Sequence, residues 1–81
     1  MSAEAYNSIK VNPIEEKIFD YIDNKGSLGA TTDEVEAELG LLHQTASPAI
    51  IRLRQKGFLS KNGEKRDTRN GRRAEVHVVA A

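Results

Sequence analysis

Residues Thr31 to Ser47 read as a helix, a tight turn marked by Gly40 and the start of a second helix, and a strongly basic stretch with hairpin signals follows them. With 81 residues, 38% of them hydrophobic, the chain has material for one small core and no second one. It has no cysteine, so neither disulfides nor Cys-ligated zinc can support the fold, and packing alone must hold it. The order of elements predicts an α+β domain over residues 13–81, made of three helices followed by a two-stranded basic hairpin. Residues 1–12, with only Tyr6, Ile9 and Val11 as sizeable apolar groups, are expected to form a flexible N-terminal arm.

The first two helices carry their own start signals. Asn12 suits an N-cap, Pro13 suits the first helical position because its missing N–H has no intrahelical partner there, and Glu15 completes a capping-box-like spacing. Ile14, Ile18, Phe19 and Ile22 then give one apolar face, predicting a helix from Pro13 to Asn24, with Lys25 to Gly29 as the terminating loop. Thr31 and Glu34 form a capping box for the second helix, whose inward stripe is Val35 and Leu39 and which Gly40 ends. Its acids Asp33, Glu34, Glu36 and Glu38 are expected on an outer face, where those near the N-terminus suit the helix dipole.

The third helix is predicted from Gln44 to Lys56. Ala46, Ala49, Ile50 and Leu53, at i, i+3, i+4 and i+7, face the core and leave Gln44, Thr45, Ser47, Pro48, Ile51, Arg52 and Gln55 on or near the other side. Pro48 removes one backbone bond and should distort the first turn. The alternative is a later start, with Ser47 as N-cap and Pro48 at the first helical position. Beyond Gly57, a strand opens at Phe58-Leu59. Two turn signals compete, and placing the tip at Asn62-Gly63 would leave only about four residues of strand before it. A bulge at Asn62-Gly63 and a tip over Asp67 to Gly71 are therefore preferred, with the return strand from Arg73 to Val79. Val76 and Val78 then share one face, and Glu75 and His77 the other.

Charge is divided sharply along the chain although the formal total is zero. Met1 to Ile51 holds three bases against nine acids, a net −6, and Arg52 onward holds nine bases against three acids, a net +6. A charge run is ordinarily a solvated surface, but this one falls largely on the hairpin, where Lys65, Arg66, Arg69, Arg72 and Arg73 surround the tip.

On these residues the chain resembles the winged helix-turn-helix superfamily. Thr31-x-x-Glu34-Val35-x-x-x-Leu39-Gly40-Leu41 looks like its second helix. Gln44-Thr45-Ala46-Ser47-x-x-Ile50-x-x-Leu53-Arg54-x-Lys56-Gly57-Phe58-Leu59 looks like its recognition helix running into the first wing strand, and Thr68-Arg69-Asn70-Gly71-Arg72 looks like its wing tip. The similarity spans about residues 13 to 79. In length and basic wing the chain is close to small winged-helix proteins encoded by bacteriophages, and more distantly to repressors of the multiple-antibiotic-resistance type. It departs from the family at Pro48, where a polar or basic residue is usual, and 81 residues leave no room for the terminal dimerisation helices of the larger repressors.

The resemblance implies a DNA-binding transcriptional regulator. Gln44, Thr45 and Ser47 are the candidates for base contacts, and Arg52, Lys65, Arg66, Arg69, Arg72 and Arg73 for the phosphate backbone. The acidic second helix would be repelled by DNA and should not enter a groove. Replacing Arg69 and Arg72 together is expected to weaken binding. The alternative is a winged-helix interaction module that docks a host or replication protein, favoured by Pro48 and the acidic first half. Beyond double-stranded DNA, the partners expected are a weak homodimer at most and, on the alternative reading, that host protein.

Catalysis is not expected. His43 and His77 have no cysteine or second histidine near them in sequence, and are read as surface or hydrogen-bonding residues rather than ligands. The acid pairs Glu15 and Glu16, and Glu36 and Glu38, are expected on exposed helix faces without a pocket. No glycine-rich phosphate loop occurs, and neither a metal nor a cofactor is expected. The apolar runs fall far short of the roughly 20 residues a membrane span needs, and the N-terminus lacks a signal-peptide pattern, so a cytoplasmic protein without membrane contact is the expectation.

Overall fold

The computed structural model of the protein describes residues 12–80. The arm expected over residues 1–12 lies outside these, Asn12 excepted. Three helices are followed by a two-stranded antiparallel hairpin, an α+β arrangement consistent with winged-helix topology. Helix α1 spans Pro13–Lys25, a single 3-10 turn covers Gly26–Leu28, α2 spans Thr32–Leu39 and α3 spans His43–Gln55, while strands β1 and β2 run Leu59–Asp67 and Arg73–Val79.

Local chemistry sets the helix ends. The Asn12 side chain accepts from the Glu15 amide at 2.8 Å. Thr31 closes a full capping box with Glu34, accepting from the Glu34 amide while the Glu34 carboxylate accepts from the Thr31 amide. Gly40 ends α2 in the left-handed conformation at φ 65°, which a side chain would resist. Helix α3 has no side-chain cap at Leu42. It begins at His43, one residue before the sequence expectation, and remains α-helical through Pro48 rather than starting late. The Gln44 carbonyl, which loses its i+4 donor to the proline ring, belongs to an exposed residue that water can reach.

The apolar faces converge as their spacing predicts. Ile18, Phe19 and Ile22 of α1, Val35 of α2, and Ala49, Ile50 and Leu53 of α3 pack with Phe58 and Leu59 in one buried cluster. Phe19 meets Phe58 edge to face, with ring centroids 5.8 Å apart.

The hairpin is joined to the helices by a feature with no clear sequence signal. Ala30, between α1 and α2, forms an antiparallel bridge with His77, each amide donating to the other's carbonyl at 2.9 and 2.8 Å. Gly29 makes the approach possible, because its φ is +61° and a Cβ there would run into the His77 carbonyl oxygen and the Val76 and Val78 side chains. Strand β2 is thus flanked by β1 on one side and Ala30 on the other, and the expected in-and-out alternation breaks down. Val76 and His77, on opposite faces, are both buried. The bulge falls where the turn chemistry placed it: Gly63 sits at φ +85° and the Asn62 side chain accepts from the Glu64 amide. The tip closes through Thr68 and Arg72, with Gly71 at φ +75°.

Candidate nucleic-acid interface

The cations of the second half divide into two sets, and carboxylates of the first two helices decide which residue joins which. Glu15 is the clearest case. It lies on the apolar stripe of α1, three, four and seven residues before Ile18, Phe19 and Ile22, and is 1% exposed. This corrects the expectation of an exposed acid. Arg52 Nε donates to it at 2.6 Å, Lys56 Nζ at 2.7 Å and Asn12 Nδ2 at 3.0 Å. Burial pushes the Glu15 carboxyl up, but the bonds from Lys56 and Arg52 outweigh it and hold the group below the usual carboxylate range.

Arg66 is held almost as firmly. Its Nε and Nη2 donate to the two oxygens of Glu34 at 3.0 and 2.8 Å, while Nη1 and Nη2 reach the carbonyls of Leu28 and Gly29 at 2.9 and 3.1 Å. One carboxylate thus caps α2 and anchors the hairpin. Partial burial pushes Glu34 up, yet the Arg66 and Thr31 bonds leave it below its ordinary value. At the wing tip Arg69 closes on Asp33: its backbone amide donates to Oδ2 at 3.1 Å and its Nε to Oδ1 at 2.8 Å. Those two bonds hold the Asp33 carboxyl low. Glu36, 3.8 Å from Arg69, also takes the His43 Nδ1 at 2.7 Å. The acids of α2 are therefore not an idle solvated face: three of the four tie the hairpin or α3 to the helix, and Glu38 remains exposed.

The second set is exposed, except for the half-buried Arg54. Among the described residues, Arg54, Lys65, Arg72 and Arg73 make no ion pair, and Lys61 pairs with Glu75. Register puts Lys61 opposite His77 and Lys65 opposite Glu75, so the bulge draws two lysines four residues apart in sequence against positions two apart on β2. Lys61 holds the Glu75 carboxyl low, assisted by the charges of Lys65 and Arg54. These cations form a strip from the C-terminal half of α3 along one face of the hairpin to Arg73, which shares the crevice beside His43 with Arg72. A groove lined by Ile51, Arg54, Gln55, Leu59, Ser60 and Lys61 separates α3 from the start of β1.

Of the expected contact residues, Gln44 is exposed on α3, Thr45 and Ser47 are half-buried, and Lys65, Arg72 and Arg73 are exposed without ion-pair partners among the described residues. Arg52, Arg66 and Arg69 are engaged by Glu15, Glu34 and Asp33. Sequence reasoning missed Arg54 and Lys61, which flank the groove, and gave Ile51, 47% exposed on the outer face of α3, no role. Helical spacing places Arg52 and Arg54 on opposite flanks of α3, but not which flank meets an acid. The position of Glu15 within an apolar stripe was the available signal.

Of the two readings given to His77, surface or hydrogen-bonding, the second holds, since the residue is buried. Its Nε2 lies 3.3 Å from Thr32 Oγ1, and its Nδ1 has no hydrogen-bond partner among the described residues. Burial and the nearby Arg54 charge push the imidazole below its ordinary value against the pull of Glu75, so the neutral form is preferred. Among the described residues, no group of His, Cys, Asp or Glu could hold a metal ion, and no helix is long and apolar enough to cross a membrane.

Residues 6–76 match the family described as Domain of unknown function (DUF7646). The chain belongs to this family. No curated protein and no solved structure matches it.

Proposed function

We propose that this DUF7646 chain is a winged-helix DNA-binding protein that acts in the cytoplasm as a transcriptional regulator, with α3 and one face of the hairpin against the duplex. The observation that carries this reading is the strip formed by Arg54, Lys61, Lys65, Arg72 and Arg73 beside the outer face of α3, in which only Lys61, among the described residues, is ion-paired, to Glu75. A row of solvated cations next to an exposed helix suits a polyanion whose phosphates follow a regular path. Gln44 and Gln55 lie exposed on the same helix and can reach base edges, while Pro48 narrows what its first turn can read. Most of the affinity comes from phosphates, and the phosphate set is revised: Lys65, Arg72, Arg73 and Arg54 carry it, and Arg66 holds the fold.

Binding of a random-sequence 20-base-pair duplex at about 50 and 200 mM salt, followed by fluorescence anisotropy, tests the reading. Measurable affinity at low salt that falls steeply at the higher concentration is expected. A second reading, the protein-interaction module, is favoured by the exposed apolar side chains Leu42 and Ile51 at the start and middle of α3. No binding at the lower salt would overturn the DNA reading and leave the interaction module in its place.

A further inference from the structure

The wing-tip arginine is bonded as a phosphate would bond it. Arg69 meets the Asp33 carboxylate with its backbone amide and its guanidinium together, an amide-plus-guanidinium grip suited to a phosphate's oxygens. Unlike Glu15, this carboxylate sits at the rim of an open crevice lined by Glu36, His43, Arg72 and Arg73. Arg69 itself remains 61% exposed at its side chain, so water and a competing anion can reach the pair. The crevice also lies between the first turn of α3 and the tip of the wing, beside the cation strip.

We infer that Asp33 occupies the place of a DNA phosphate at the wing tip, holding Arg69 in the free protein and yielding it to the duplex on binding. This deepens the proposed function and rests on it. The clasp sets the affinity of the free protein: a phosphate must displace Asp33 before Arg69 is engaged, and the displaced carboxylate remains close enough to repel the backbone. Arg66 does not take part in such an exchange, because its guanidinium is shared among Glu34 and two carbonyls.

The experiment compares the wild type with Asp33→Asn, Asp33→Ser, Arg69→Ala and Asp33→Asn/Arg69→Ala, and with Asp23→Asn as a remote loss of one negative charge. Each is titrated against a random-sequence duplex at several salt concentrations, after circular dichroism has checked its helix content. Removing the Asp33 charge is expected to tighten binding about 5- to 10-fold at low salt, because Arg69 then reaches a phosphate without first leaving a carboxylate. Arg69→Ala alone should change affinity less than twofold, yet abolish the gain in the Asp33→Asn background. Asp23→Asn should change it less than twofold. Unchanged affinity in both folded Asp33 variants, an equal gain from Asp23→Asn, or a gain that survives the loss of Arg69 would each overturn the clasp. If neither the wild type nor any variant binds the duplex, the DNA reading itself fails and takes the clasp with it.

Discussion

Glu15 and Asp33 each hold an arginine from the basic half of the chain, but the two pairs sit in opposite surroundings. The Glu15 carboxylate is buried on the apolar stripe of α1 and accepts from three side chains, whereas Asp33 stands at the rim of a crevice and holds one arginine that is largely in water. A charge taken out of water and matched by several donors is costly to leave unpaired, while an exposed pair is worth little because solvent competes for both partners. The same chemistry therefore locks α1 to α3 at one end of the molecule and leaves the wing tip exchangeable at the other.

The sharpest way to break the comparison is to delete each carboxylate. Glu15→Ala leaves Arg52 and Lys56 beside an apolar wall, though both are partly solvated, so a loss of about 2 kcal/mol is expected, roughly a 10 °C fall in melting temperature. Asp33→Asn should leave the melting temperature almost unchanged. Equal effects in thermal unfolding would show that burial does not separate the two pairs. The next effect concerns binding. Lys65→Ala/Arg73→Ala should weaken duplex binding about tenfold at low salt and lower the salt slope by about 1.8, two phosphate contacts. An unaltered slope would remove the strip from the interface.

Arg66→Ala reverses the pattern, and it sharpens the division between the two sets of cations. It should cost about 1 kcal/mol of stability, because two carbonyls and a capping carboxylate lose a donor, and leave duplex affinity within twofold. A large loss of affinity with normal stability would return Arg66 to the contact set. The smallest expected effect is on pH. The folded-state value of His77 lies below its ordinary value of about 6.5, so in that window the unfolded chain binds the proton more readily. Stability is then fully present above about pH 6.5 and falls as the pH drops through that range. Glu15 and Glu34, also held low, add a second loss below the usual carboxylate range. Melting curves from pH 7 to 3 should fall in two stages, the upper one by a few degrees and absent in His77→Gln. A single stage in the wild type would contradict the role given to the histidine.

The fold was largely legible because each element carries its own local signal: the Asn12-Pro13 start, the Thr31 to Glu34 capping box, the left-handed Gly40 and the Asn62-Gly63 bulge all depend on neighbours in sequence. The interface was legible only in part, because charge counted along a chain does not say which charges meet. Glu15, Asp33 and Glu34 belong to the acidic half, and they neutralise the arginines that sequence position alone made most conspicuous. Lys65, Arg72 and Arg73 stayed exposed as expected, although Arg72 and Arg73 line the crevice they share with Asp33 and Glu36 of α2. Arg54 was overlooked because its value depends on the hairpin lying against that flank of α3, which is a property of packing.

The bridge between Ala30 and His77 also bears on how the domain opens. It joins a residue ahead of α2 to one in β2, so closing it carries the loop-entropy cost of a long-range contact. The expected first opening of the native protein is release of this bridge while the helical core stays assembled. The amides of Ala30 and His77 should then exchange with deuterium sooner than those of Ile18 and Leu53 in the core, and equal rates would mean that the domain opens as one unit.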